Sequence, residues 1–139
     1  MTLATIYLIG ATGICLIFSY LMIFDLERML KGYNTSYDFS TETGGFARRM
    51  ARYCGVANFI FAFIFGHMIN SKPSAAVRTA VMVFGLYLAV NVHTIYFDEQ
   101  TTPKARQANM KNFYLTGAFF VGGVITLLTM DSPTKVKNQ

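Results

Sequence analysis

Two histidines, two cysteines, seven acidic and twelve basic residues carry most of the reactive chemistry of this 139-residue chain, and their spacing decides what they can do. Cys15 and Cys54 are far apart, so they form neither a CxxC metal pair nor a disulfide framework, and the redox compartment is left undetermined. His67 and His93 each lie 14 residues into a long apolar run, and the two runs are expected to be antiparallel. At 1.5 Å per residue each histidine is about 21 Å from its own starting surface, which leaves them roughly 12 Å apart along a 30 Å hydrocarbon core. Axial ligands of one haem must lie almost level, so a bis-histidine haem within this chain is not expected. Each histidine reads as an interfacial residue bonded to a neighbour, with a ligand to a cofactor shared with another subunit as the alternative.

The acids Asp25, Glu27, Asp38, Glu42, Asp98, Glu99 and Asp131 all fall at or beyond the ends of the apolar runs, and no lysine or arginine sits at a run's centre. A proton-coupled pump or a cation-exchanging exporter needs a buried carboxylate, so neither is expected. The chain has no GxSxG, no HExxH and no phosphate-cradling glycine loop. No catalytic, cofactor-binding or metal-ligating residue is therefore assigned, no metal is expected, and a non-enzymatic role is favoured. Gly44-Gly45 reads as a flexible turn and Gly122-Gly123 as a packing notch. Arg48, Arg49 and Arg52, with Lys104 and Arg106, are the candidate contacts for anionic lipid headgroups, which makes a bound phospholipid the one ligand expected.

The elements that must position these residues follow from composition. Hydrophobic residues make up 53% of the chain and charged residues only 14%, and the charges are confined to short stretches. A helix crossing the bilayer needs about 20 mostly apolar residues. Four runs are read as spans, over residues 3–24, 53–69, 79–97 and 113–130, with an extramembrane loop over 25–52. Pro73, Pro103 and Pro133 fall in connections or the tail, so the helices should be unbroken. The expected fold is an all-α integral membrane protein, a single domain over 1–139 formed by a compact bundle of four transmembrane helices with both termini on the same side. The first run has no basic n-region and exceeds a signal-peptide core, so it should be retained as a span.

Helices in lipid associate through small residues and occasional polar contacts. Small side chains recur every four residues at Ala11, Cys15 and Ser19, at Asn58, Ala62 and Gly66, at Gly85 and Ala89, and at Ala118 and Gly122. These ridges are expected to line the inside of the bundle. Asn58 and Asn91 read as interhelical hydrogen-bond formers.

Eight basic residues lie in the two long connections, namely Arg28, Lys31, Arg48, Arg49, Arg52, Lys104, Arg106 and Lys111. Four, Lys72, Arg78, Lys135 and Lys137, lie on the other side. The bias favours the long connections inside and the termini outside, and it accounts for the net charge of +5 without nucleic-acid binding. Asn34-Thr35-Ser36, formally a glycosylation acceptor, then falls on the inside and is discounted. Leu26, Met29 and Leu30 share one face of a surface-riding turn with a Glu27–Lys31 pair, Gly32 stops it, and residues 33–45 read as a loop. The tail from Ser132 to Gln139 is short and basic.

Two resemblances attach to these residues. Arg48, Arg49, Arg52 and Asn58, with Val92-His93-Thr94-Ile95-Tyr96, resemble the membrane-associated family of eicosanoid and glutathione metabolism, although the arginine-to-asparagine spacing departs and no glutamate follows. That likeness implies a small, trimeric integral-membrane enzyme or lipid-binding protein with an anionic ligand on those arginines and Asn58. Ala51-Arg52, Gly55 and His93 are similar to the small four-span scaffold of ergosterol synthesis, without its tryptophan or its acid after the histidine. Neither is taken as membership. The expected function is a non-catalytic accessory subunit of a multi-subunit membrane complex, with other membrane subunits and phospholipids as partners. A respiratory-chain complex of the mitochondrial inner membrane is favoured over the endoplasmic reticulum.

Overall fold

Short polar side chains begin the first three helices, and prolines begin the last two. The Thr2 hydroxyl accepts the Thr5 N–H at 3.2 Å and so caps α1 (Leu3–Phe24). Asp25 ends that helix and begins the next: its N–H donates to the Leu21 carbonyl, and its carboxylate accepts the Arg28 N–H at 3.3 Å at the start of α2 (Leu26–Gly32). Thr41 caps α3 (Glu42–Met68), accepting the Gly44 N–H at 3.0 Å. Pro73 and Pro103 are the first residues of α4 (Pro73–Tyr96) and α5 (Pro103–Asp131), where a missing N–H costs no intrahelical bond. The computed structural model describes residues 1–32, 38–97 and 103–131, and all five elements among them are helices. The Asn34-Thr35-Ser36 acceptor, Asp98, Glu99, Pro133, Lys135 and Lys137 lie outside the described residues, as does the side chain of Lys104.

The four long helices run alternately up and down in two antiparallel pairs. Along α1 and α3, Gly55 lies against Ile23 and Ser19 while Gly66 faces Thr12. Along α4 and α5, Gly85 lies against Phe120, Gly117 against Leu88, and Asn91 bonds Thr116. The pairs meet where Tyr7 of α1 packs on Phe119 and Gly123 of α5 and where Tyr87 of α4 reaches Asn58 of α3. The start of α1 and the end of α5 therefore share one end of the bundle, and α2 lies at the other. The core between the pairs is formed by Leu8, Ala11 and Cys15 of α1, Ala62 and Phe65 of α3, and Ala76, Val77, Ala80 and Phe84 of α4, all buried. Phe84 stacks on Phe119 with ring centroids 4.8 Å apart.

Among the described residues, three helices are long and apolar enough to cross a membrane: Leu3–Phe24, Pro73–Tyr96 and Asn109–Met130. The expected second span, 53–69, is not among them. Its helix begins eleven residues earlier, at Glu42, so that Arg48, Arg49 and Arg52 fall within it, and Asn58 and His67 interrupt its apolar remainder. What the structure supports is an all-helical, multi-pass membrane protein with three such helices. The last two helices likewise start earlier than their apolar runs, at Pro73 rather than 79 and at Pro103 rather than 113.

Candidate functional site

Where the two helix pairs separate, all four long helices contribute to a cavity of about 160 Å³. Its wall is mostly apolar, with Ile14 and Phe18 from α1, Phe84 and Val90 from α4 and Leu115 from α5. Polar groups enter it as paired clasps. The Tyr87 hydroxyl donates to Asn58 Oδ1 at 3.5 Å, and Asn58 Nδ2 donates to the Cys54 carbonyl at 3.0 Å and approaches the Met22 sulfur at 3.8 Å. Asn91 Nδ2 donates to Thr116 Oγ1 at 3.3 Å, and Thr116 in turn donates to the Asn112 carbonyl at 2.7 Å. Such bonds hold helices in register, because an unpaired amide in hydrocarbon is costly. Asn58 and Asn91 thus each bond across a helix boundary.

A second, shallower groove of about 360 Å³ shares Phe18, Asn112 and Leu115 with this cavity and opens at the α2 end of the bundle, beside Arg28 and Lys111. Lys111 Nζ donates to the Gly32 carbonyl at 3.3 Å, fixing the ammonium at the groove mouth and tying the end of α2 to α5. On the far side of α2 the Arg48 guanidinium lies 3.9 Å from Glu27 and 4.4 Å over the Phe39 ring. Arg48 and Arg52 line a third groove together with Asp25 and Glu27.

The candidate headgroup residues are therefore split. Arg48 and Arg52 sit among acids, Arg49 and Arg106 are exposed, and Asn58 is buried against α1 and α4 rather than beside the arginines. Of the small-residue ridges, Ala11, Cys15, Ser19, Asn58 and Ala62 are buried between α1 and α3. Ala89 and Ala118 face outward, Gly66 is exposed although it lies alongside Thr12 of α1, and Gly85 and Gly122 are half-buried. Among the described residues, the buried small ones of the second pair are Ala76, Ala80, Gly123 and Thr126. The Ala76–Ala80 pair straddles the start of the apolar run over 79–97, with Ala76 outside it, so the repeat does not stand out within the run. A Cβ on Gly123 would come 2.6 Å from the Tyr7 hydroxyl, so the notch belongs to Gly123 more than to Gly122.

Gly44, read as part of a flexible turn, is instead buried in the first turn of α3, where a Cβ would collide with the Asp38 carbonyl. Asp38 accepts from the Ser40 N–H at 2.9 Å and the Ser40 hydroxyl at 2.6 Å, and these bonds hold its carboxyl below its ordinary pKa. His67 stacks on Phe63 near the end of α3, and His93 makes a tilted ring contact with Phe97 near the end of the oppositely directed α4, so the two histidines occupy opposite ends of the bundle. Among the described residues no three His, Cys, Asp or Glu side chains cluster to hold a metal ion. Comparison with known proteins finds no matching family model, no similar curated protein and no similar solved structure.

Proposed function

We propose that this chain is a non-catalytic accessory subunit of a larger membrane complex, acting through helix packing and lipid contact. The observation that carries this reading is the outer face of α5. Only 11% of its apolar window Asn109–Met130 is buried inside the bundle, against 28% for the windows of α1 and α4. Tyr114, Ala118, Val121, Ile125 and Leu128 are all exposed, and their 4-3-4-3 spacing is that of a helix-pairing seam. Ala118 within that seam is a small residue turned away from its own bundle, where it lets a neighbouring backbone approach closely.

In this reading α3 crosses the bilayer with the other three long helices, with Asn58 covered by α1 and α4 and the exposed His67 near the end of the helix. The basic connections then lie inside and both termini outside, and the complex is a respiratory-chain assembly of the mitochondrial inner membrane. The test is native-gel migration of the endogenous protein in mild detergent with mass spectrometry of what co-migrates, alongside imaging of tagged protein. Co-migration with a large assembly that Ala118→Trp disrupts supports the proposal. A particle of one to three copies overturns it and favours the small-enzyme or lipid-binding alternative.

A further inference from the structure

We infer that the groove between α1 and α5 binds an anionic membrane lipid, with its headgroup on Arg28 and Lys111 and one acyl chain descending into the central cavity. This rests on the reading that the bundle is embedded in a bilayer. Three features of the groove point the same way.

The first is charge. Arg28 and Lys111 flank the mouth, and among the described residues no acidic side chain lines it. The groove beside Arg48 and Arg52, by contrast, carries Asp25 and Glu27, which oppose an anion. Lys111 spends one N–H on the Gly32 carbonyl and is held in place by it, leaving its other donors for a phosphate.

The second is level. Lys111 lies two residues into the apolar window of α5, and Arg28 lies just beyond the end of α1, so both cations stand where a bilayer's headgroups begin. The third is the order of chemistry along the groove. Below the cations come Asn112 and the Asn91–Thr116 clasp, at the depth of a lipid's ester carbonyls. Phe18 and Leu115 stand beside the clasp, and below it the wall is Phe84 and Ile14. Ile14 is ten residues from the end of α1, about 15 Å at 1.5 Å per residue, which is half the hydrocarbon thickness and the depth one acyl chain reaches in its leaflet. Cation, amide and hydrocarbon thus follow one another as phosphate, ester and chain do in a phospholipid.

The experiment offers the purified full-length protein, in mild detergent, an equimolar mixture of dioleoylphosphatidylglycerol and dioleoylphosphatidylcholine and counts retained lipid by native mass spectrometry. The expected result is a preference for phosphatidylglycerol of about tenfold or more, from two cations at the headgroup level. Arg28→Gln with Lys111→Gln should bring the ratio near one, and both side chains are exposed, so this variant tests the site without disturbing the core. Leu115→Trp should lower retention of both lipids by obstructing the chain path. Arg48→Gln with Arg52→Gln should leave the preference intact. Equal retention of the two lipids by the unmodified protein, or a preference that the Arg48 and Arg52 variant abolishes and the Arg28 and Lys111 variant does not, overturns the site. Carbonate washing of membranes separates the two readings: protein released by carbonate defeats the embedded bundle itself, whereas protein that stays but shows no lipid preference defeats only the lipid site.

Discussion

The Tyr87 hydroxyl donates to the side-chain carbonyl of Asn58 at 3.5 Å, and this bond joins α4 to α3 at the wall of the central cavity. Interhelical polar bonds in membrane proteins average about 0.6 kcal/mol and reach about 1.7 kcal/mol. Tyr87→Phe should therefore cost about 0.6 kcal/mol, and Asn58→Leu more, because Asn58 also packs beside Met22. A double-mutant cycle on unfolding in mixed micelles measures the coupling. A coupling of zero would show that the clasp holds nothing.

Gly55 sits at a close approach of α1 and α3. A Cβ there would stand 2.7 Å from Ile23 Cγ1 and 3.2 Å from the Ser19 carbonyl oxygen. Gly55→Ala should destabilise by about 1–3 kcal/mol through overpacking. Gly13→Ala, where nothing lies within 4 Å, should be neutral or stabilise by up to about 1 kcal/mol through helix propensity. Thermal aggregation in detergent ranks the two variants.

The Tyr7 hydroxyl is buried and has no hydrogen-bond partner among the described residues. Removing an unsatisfied polar atom while keeping the ring avoids its desolvation cost, so Tyr7→Phe should raise stability by about 1 kcal/mol. The ring contact with Phe119, at 6.3 Å between centroids, is kept. A loss of stability in the variant would reveal a partner for the hydroxyl.

Asp38 has a folded-state pKa lowered by its bonds to Ser40, so its contribution is complete above its unfolded pKa and declines as pH falls through the folded value. Because Thr41 Oγ1 donates to the Asp38 carbonyl and caps α3, the first turn of α3 should fray below about pH 4. Hydrogen exchange at Gly44 and Gly45, corrected for intrinsic rates, should show the fraying, and Asp38→Asn should weaken its dependence on pH.

Crossing of the bilayer by α3 is tested by placing cysteines at Thr43 and Ser71, both exposed and at opposite ends of that helix, in a Cys54→Ala background. A membrane-impermeant maleimide should label the two from opposite sides. Labelling from one side would make α3 a surface helix.

The long uncharged runs made α1 legible to the residue, because nothing but hydrocarbon competes for its side chains. The other helix starts were harder to read, since caps act through local hydrogen bonds that hydropathy does not register. Thr41 and its Asp38 turn begin α3 within a segment that reads as a loop, and Pro73 and Pro103 look like breakers until they prove to be first residues. The α1–α3 ridge could be read from small residues because both helices are buried against each other. Ala118 was expected to line the inside of the bundle and is exposed instead, since a four-residue repeat gives a helix face but not its direction. The groove at Arg28 and Lys111 joins residues 83 positions apart, a proximity that only the packed bundle supplies.

The pairing of α1 with α3 also bears on how the chain is made. A helix carrying Asn58, His67 and three arginines is a poor passenger for insertion by itself. Its packing face, however, is matched to a helix that leaves the ribosome first, with Met22, Ser19 and Cys15 already threaded when Asn58 and Ala62 emerge. Insertion of the later helix should accordingly depend on the earlier one, and a lesion on the inner face of α1 should appear in cells as misrouted α3 and early degradation.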